Sequence, residues 1–499
     1  MNIISIVSII IYIICAVLLG LGIFFCIKKN LFSEIISIAF NAGAAVLSLL
    51  LSALILSLTN NFVVDMLVSF LSDRILDTEI TTLLQTSELT DFIGHLSKAA
   101  LSIIFVPLLY IIIRALLQIP AKIVGKKECR LSKKIPAVTI AIQIVSVLIT
   151  ITMVFGPASA IISAVAKSKE NTIDGEGTEI TGTISPLSSN VILNITGNTG
   201  GKAIISLLSD YKQNGHKIHI DREITDILTL VYTIPKIYPV STNDASKEPL
   251  LYQYTKDAFN DSDALPPIAA NIFSDASSKW IDGKAYLGFK FKVPSGRQED
   301  FYQKMYTVIG ESDENNINDN FNTVIDMLEL ISKSDGFKSA DKDKFITAFS
   351  DEDFTTDFFS ILYDNENFRS LIPEISYTAL ASAFDQINVS LPSVEETGAS
   401  FDNMTKEDAL NDAVLLSNLA DVVLSINEKV GSMDIKAMSW DEIKELCSAV
   451  TALKDSYFLH TYVKTIITGI MNEITNSFSS DIIINSFKAT FSEYISATE

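Results

Sequence analysis

The densest grouping of chemistry-bearing side chains in this chain is His216-x-x-His219-x-Asp221-x-Glu223. Imidazole nitrogens and carboxylate oxygens are the ligands that divalent metals take. On a strand, where alternate residues share a face, His219, Asp221 and Glu223 would converge. In a polar turn the same groups are simply solvated, and we assign no metal ligand here. Gly197-Asn-Thr-Gly-Gly-Lys202 has the cast of a phosphate loop but lacks its parts. Thr196 stands where the first glycine belongs, and Ala203 stands where Ser or Thr should follow the lysine. His460 is the remaining histidine of the polar region, so a Ser-His-Asp or Cys-His centre has few candidates. Cys447 falls in an amphipathic pattern over Asp441–Leu453, as a buried cysteine does. No catalytic or cofactor-binding residue is assigned, and the expectation is a protein that is not an enzyme.

A second group of polar residues lies inside apolar runs. Asn41 and Gln143 are placed to hydrogen-bond between helices, and Ala39-x-x-x-Gly43 would let two helices approach closely. Arg114 sits about one turn from a helix end, where its long side chain can reach the interface. A conduction or proton path would ask for ionisable groups at depth, yet no Asp, Glu or His interrupts these runs.

The elements that must position these residues are of two kinds. Four apolar stretches, at about 3–27, 35–58, 99–119 and 135–158, are each long enough as helices to cross a hydrocarbon core. Pro107 lies in the third, and Gly156-Pro157 is expected to end or bend the fourth. The first lacks the basic start and cleavage site of a signal peptide and is taken as a retained anchor. Residues 1–166 carry a balance of +3, against −24 for residues 167–499. A surface that acidic repels nucleic acid.

Orientation follows from the lysines. Lys28 and Lys29 mark one connecting loop; Lys122, Lys126, Lys127, Arg130, Lys133 and Lys134 mark another, and basic loops stay in the cytoplasm. The intervening 59–97 is acidic. The expected topology therefore puts the N-terminus and everything after the fourth span outside the cytoplasm, in a multi-pass cell-membrane protein. Apolar residues at helical spacing in 62–96 (Phe62, Val63, Met66, Leu67, Phe70, Leu71) predict either amphipathic helices on the outer face or a helical hairpin.

Beyond the spans, residues 167–200 read as a Gly-containing tether and 201–499 as a mostly helical extracytoplasmic domain. Helical stripes include Phe321/Val324/Ile325/Leu328/Ile331, Phe354/Phe358/Ile361/Leu362, Leu415/Leu419/Val422/Ile426 and Tyr462/Ile466/Gly469/Ile470/Ile474. Ser439-Trp-Asp-Glu442 has the form of a capping box. Alternation over Lys284–Val293 predicts a strand, paired through Asp282-Gly283 with Lys279–Ile281 in a small β-hairpin; Lys217–Ile220 is a second candidate strand. A shift of 91 residues superposes apolar positions, among them Ile325 on Leu416, Leu362 on Leu453 and Ile375 on Ile466, as a helical duplication would; Phe354 against Glu445 does not fit. Cys15, Cys26 and Cys129 lie in or between the spans, which leaves Cys447 without a disulfide partner in its domain.

Three features of the N-terminal third go together: four spans in a two-plus-two arrangement, the turn Gly20-Leu-Gly22 leading to Lys28-Lys29, and the basic loop Lys122-Ile-Val-Gly-Lys-Lys127 before the fourth span. In these the region resembles the colicin V production protein (CvpA) family of bacterial inner-membrane proteins. The acidic residue usual near the start of the first span is missing, and the long polar domain lies outside that family's core. The resemblance implies a role in toxin production or export, or in envelope maintenance, and supplies no catalytic residue. Ile-, Asn- and Lys-rich usage accords with a low-GC bacterium. The partners expected are membrane lipid, a protein or cell-wall component outside, and further copies of the chain in a homo-oligomer; a channel or transporter component and an external metal-dependent hydrolase are the competing functions.

Overall fold

The computed structural model describes residues 3–26, 30–74, 87–124, 136–167, 187, 189–213, 215–237, 249–282, 284, 298–334, 347–384, 387–399, 401, 403–431, 433–477 and 481–495. The chain divides into two compact units, Met1–Ile234 with Gln253–Ile268, and Pro235–Tyr252 with Ala269–Glu499.

The first unit is built on α1 (Ile3–Cys26), α2 (Leu31–Arg74), α3 (Ser87–Val124) and α4 (Pro136–Lys167). Their side chains are sorted in the reverse of a water-soluble bundle. Large apolar residues such as Ile13, Leu50, Ile111 and Leu148 face outward, whereas Ala44, Ser48, Ser52, Ser102 and Ala160 are buried between helices. Small and hydroxyl-bearing contacts are what pack helices when the surrounding solvent is itself apolar. The chain is a helical membrane protein in this sense: these helices are long and apolar enough to cross a bilayer.

Three expectations are decided here. The fourth helix does not end at Gly156-Pro157 but continues to Lys167, and α3 likewise passes through Pro107 and Pro120. Of the two alternatives for 62–96, the described residues show the helical pair: α2 and α3 run on beyond the predicted spans side by side, with Gly94 lying on Asn60 and Val64. The tether predicted over 167–200 does not reach Gly201. From Val191 onward it is helix: α5 (Val191–Thr196), a π-helical turn (Gly197–Gly201) and α6 (Lys202–Ser209) follow one another without a break.

After α6, β1 (Tyr211–Gln213) pairs antiparallel with β2 (His216–Ile218), Tyr211 opposite Ile218, through a turn at Gly215 whose φ of +86° suits glycine. The predicted strand at 217–220 is thus displaced toward the N-terminus and ends before α7 (Ile220–Ile237) begins. Then come α8 (Pro249–Asp261) and α9 (Leu265–Ile281). Lys279–Ile281, expected as one arm of a hairpin, is the end of α9, and the other arm falls outside the described residues except Lys284.

The second unit contains α10 (Gln298–Gly310), α11 (Ile317–Lys333), α12 (Glu352–Asp364), a 3-10 turn (Phe368–Leu371), α13 (Ile372–Phe384), α14 (Val394–Thr397), α15 (Lys406–Val430), α16 (Trp440–Ala452), a 3-10 turn (Leu453–Asp455), α17 (His460–Ser477), α18 (Asp481–Thr490) and α19 (Ser492–Ile495) around one continuous apolar core. Moving α11, α12 and α13 along by 91 residues lands on α15, α16 and α17 in the same order. Buried positions coincide too: Phe359 with Val450, Leu362 with Leu453, Phe368 with Leu459, Leu371 with Tyr462 and Ile375 with Ile466. The turn after the second helix is latched in the same way in both copies. Asn365 Oδ1 accepts from the Asn367 and Phe368 amides, and its equivalent Ser456 Oγ accepts from the Phe458 and Leu459 amides.

Among these helices α15 is also long and apolar enough to cross a bilayer, but half of its apolar window is inside the protein, against 17–33% for α1–α4. Its buried Ala409, Ala413, Leu416, Leu419, Val423 and Ile426 belong to the core, and Asp412 binds the Tyr457 and Phe458 amides. It packs as the central helix of this unit.

Candidate functional site

The polar side chains of the membrane-type bundle meet in one layer. Asn41 on α2 donates through Nδ2 to the Ser146 carbonyl and to Ser146 Oγ, each at 2.9 Å. Tyr110 on α3 is fully buried and donates to Asn41 Oδ1 at 2.6 Å. Thr150 sits one helical turn beyond Ser146 on α4, and its hydroxyl accepts from Arg114 Nη1 at 2.7 Å. Its single proton has two acceptors at 2.9 Å, the Ser146 carbonyl and Tyr110 Oη. The Arg114 guanidinium also lies 5.8 Å from the Tyr110 ring centre, within cation–π range.

Asn41 and Arg114, singled out from the sequence, are therefore joined, through Tyr110 and Thr150. Gln143 is not part of the layer; its amide packs across bare backbone at Gly22, where an added Cβ would come within 2.7 Å of Nε2. Among the described residues the Ala39/Gly43 pair marks no helix crossing, since a Cβ on Gly43 would meet nothing within 4 Å. Tyr110, Ser146 and Thr150 went unrecognised, although Tyr110/Arg114 and Ser146/Thr150 share the four-residue spacing that puts two polar groups on one helix face. Asn41, Tyr110, Ser146 and Thr150 bond one another, as buried polar groups in apolar surroundings must, and Arg114 joins them through one N–H.

The second cluster lies where β2 passes into α7. Asp210 Oδ1 accepts from the Ile220 amide at 3.3 Å, capping α7 from across the ribbon. Asp210 Oδ2 gathers Ser206 Oγ at 2.5 Å, His219 Nδ1 at 2.8 Å and Lys217 Nζ at 3.1 Å. Asp221 is 3.6 Å from Lys202 Nζ. One ligand-type atom each from Asp210, His219 and Asp221 lies within 4.8 Å of the others, so these three are the residues that could hold a metal. Of the four residues singled out in the sequence, the structure thus keeps two. His216 is exposed at the start of β2. Glu223 points elsewhere, accepting from Ser262 Oγ at 2.5 Å and from the Asp263 amide at 3.0 Å. Two lysines already balance the two carboxylates, and a divalent ion would have to displace both; the arrangement is an ion-pair knot before it is a metal site. Asp210 was missed because the ribbon, not the local chain, brings it to His219.

Around Glu223 the field is acidic. Burial pushes its carboxyl up, against the two hydrogen bonds that favour the ionised form. Asp226, one turn on, is pushed up to about 7 by burial and by the Glu223 and Asp261 charges, and its Oδ2 has no hydrogen-bond partner among the described residues. On α3, His95 donates from Nδ1 to the Ser209 carbonyl at 2.7 Å and stacks on Tyr211, ring centres 4.2 Å apart.

In the second unit, His460 Nδ1 is held by the Ser456 carbonyl at 3.0 Å, and Cys447 is buried in the core with its thiol pushed up by desolvation, the reverse of an activated nucleophile. Two clefts there are shallow. One of about 450 Å³ is lined by Asn388, Ser390, Lys464, Thr468 and Glu473, the other of about 540 Å³ by Tyr457 and His460. Gly197–Gly201, the stretch with a phosphate-loop cast, is packed against α4 and offers no open cradle. Comparison with known protein families, with curated proteins and with solved structures finds no match for the chain.

Proposed function

We propose that this chain is a non-enzymatic envelope protein: α1–α4 cross the cell membrane, and the acidic helical unit that follows binds a protein or cell-wall component outside the cytoplasm. The observation that carries the proposal is the duplicated helix triplet, α11–α13 and α15–α17. Stacked helical repeats bury a shared core and leave an extended outer surface, an architecture suited to holding a partner rather than to enclosing a substrate. The surplus of 24 negative charges over residues 167–499 favours a partner with a basic face and steers its approach. Orientation rests on the lysines of 28–29 and 122–134, which hold those loops in the cytoplasm. The likeness of the N-terminal third to the CvpA family supports a place in toxin export or envelope maintenance.

The test is cross-linking in intact cells with a reagent that does not cross membranes. The expected result is a discrete adduct formed through lysines of the second unit, such as Lys436 and Lys464. A chain that acquires no adduct, or acquires one only after the cells are opened, overturns the proposal.

A further inference from the structure

The segment Val191–Ser209 reads in the sequence as the end of a tether and the start of an external domain. Its contacts place it elsewhere. Leu193 is buried against Ile11, Cys15, Val147 and Ile151. Cys15 lies midway along α1, and Ile151 lies at the middle of α4. At the other end, Ile204 and Leu208 pack with Ala44, Val106, Tyr110 and Met153, on α2, α3 and α4. The segment thus touches all four long helices, and it does so at the level of their apolar windows.

The joint is built for that depth. Asn190 caps α5 with Oδ1 and donates from Nδ2 to the Ser8 carbonyl and Ser8 Oγ on α1, while Tyr12 Oη accepts from the Val191 amide. At the π-turn the backbones of two helices nearly touch. A Cβ on Gly197 would lie 2.6 Å from the Ser159 carbonyl oxygen, and one on Gly201 would collide with the Gly156 carbonyl.

The hydroxyls along the segment are engaged close by. Thr196 returns its hydroxyl to the Ile192 carbonyl, Thr199 to Ile195 and Ser209 to Ile205; Asn194 pairs with Asn198, and Ser206 with Asp210. Its one charge, Lys202, is paired with Asp221. Facing outward are Val191, Ile195 and Leu207, each at least 60% exposed, together with the exposed Asn194, Asn198 and Thr199. Apolar side chains this exposed are costly in water, whereas a helix whose hydroxyls return to its own backbone suits hydrocarbon. The helices α1 and α4, on which it lies, present the same apolar exterior.

We infer that Val191–Ser209 is a re-entrant helix, embedded in the outer half of the bilayer with Val191, Ile195 and Leu207 against lipid. The inference rests on α1–α4 being membrane spans. It makes the membrane body a five-element structure in which the fifth element braces the other four.

Nitroxide labels on single cysteines, placed in a cysteine-free full-length chain and reconstituted in nanodiscs of phosphatidylethanolamine and phosphatidylglycerol, test it. Ile195→Cys and Leu207→Cys are outward positions that leave the packing intact; Leu50→Cys serves as the lipid reference and Ile482→Cys as the water reference. The expected result is that the Ile195 label collides with oxygen more than with a water-soluble nickel chelate, as at Leu50. An Ile195 label that follows Ile482 while Leu50 remains in lipid overturns the re-entrant helix and leaves the spans standing. Nickel access at Leu50 itself removes the spans and the inference together.

Discussion

Tyr110→Phe deletes one hydroxyl and with it the link between Asn41 and Thr150. Interhelical hydrogen bonds in apolar surroundings contribute about 0.6 kcal/mol on average and up to about 1.7 kcal/mol, so the thermal midpoint in detergent should fall modestly. Combined with Asn41→Leu the loss should be less than additive, because both changes break the same bond; full additivity would show that the layer is not coupled. Asp226 gives a second residue-level test. Its carboxyl is pushed up to about 7 from an ordinary value near 3.8, so the folded chain holds that proton more tightly than the unfolded one. Stability from this group is complete below about pH 4 and is lost as pH rises toward 7, after which the loss is constant. Asp226→Asn should raise stability at pH 8 by on the order of 2 kcal/mol, about half of what the full shift would give, because solvent screens part of it. Little change is expected at pH 4, and equal shifts at both pH values would count against a titrating Asp226. Asn41 and Arg114 stood out in the sequence because polarity is conspicuous in an apolar run. Tyr110, Ser146 and Thr150 did not, since hydroxyls occur in spans without consequence and only the register between helices makes these three converge.

At the scale of the element, the outcome turned on glycine. The glycines of 197–201 suggested flexible chain, yet the same lack of a side chain lets two helices close to backbone contact, and sequence alone does not separate these uses. Gly201→Val should lower the thermal midpoint clearly, since overpacking of this kind costs about 1–3 kcal/mol, whereas Gly43→Ala should be neutral or stabilising, as Ala favours helix by about 1 kcal/mol. The opposite ranking would place the helix crossing at Ala39/Gly43 after all. Elsewhere local signals sufficed. The capping box at Ser439/Glu442 starts α16 as its residues indicate, with both reciprocal hydrogen bonds present. The stripes of α12, α15 and α17 turn toward the core the residues that their periodicity marked, whereas of the α11 stripe only Val324 and Ile331 pack against that core. Lys279–Ile281 went to helix because a short apolar arm carries no register of its own, and α9 extends through it.

For the whole molecule, the division between apolar and acidic halves was plain from charge and hydropathy, because solvent choice is a property of long windows rather than of single contacts. The 91-residue period was visible only as scattered coincidences; once turns and buried positions are matched, Asn365 and Ser456 occupy the same joint despite differing in type. Protease added to intact cells should release fragments of the second unit and spare α1–α4, and protection of both would reverse the proposed orientation. The length of the α2–α3 pair carries a separate consequence. With its 44 residues, α2 is roughly twice as long as a hydrocarbon core is thick. On the proposed topology the surplus, still paired at Asn60 and Gly94, projects as a stiff post several helical turns tall, with His95 and Tyr211 clasped at its foot. A post of that kind is a ruler: shortening or lengthening it by whole helical turns changes the height at which the headgroup layer is left behind, without altering a single residue that a partner would touch.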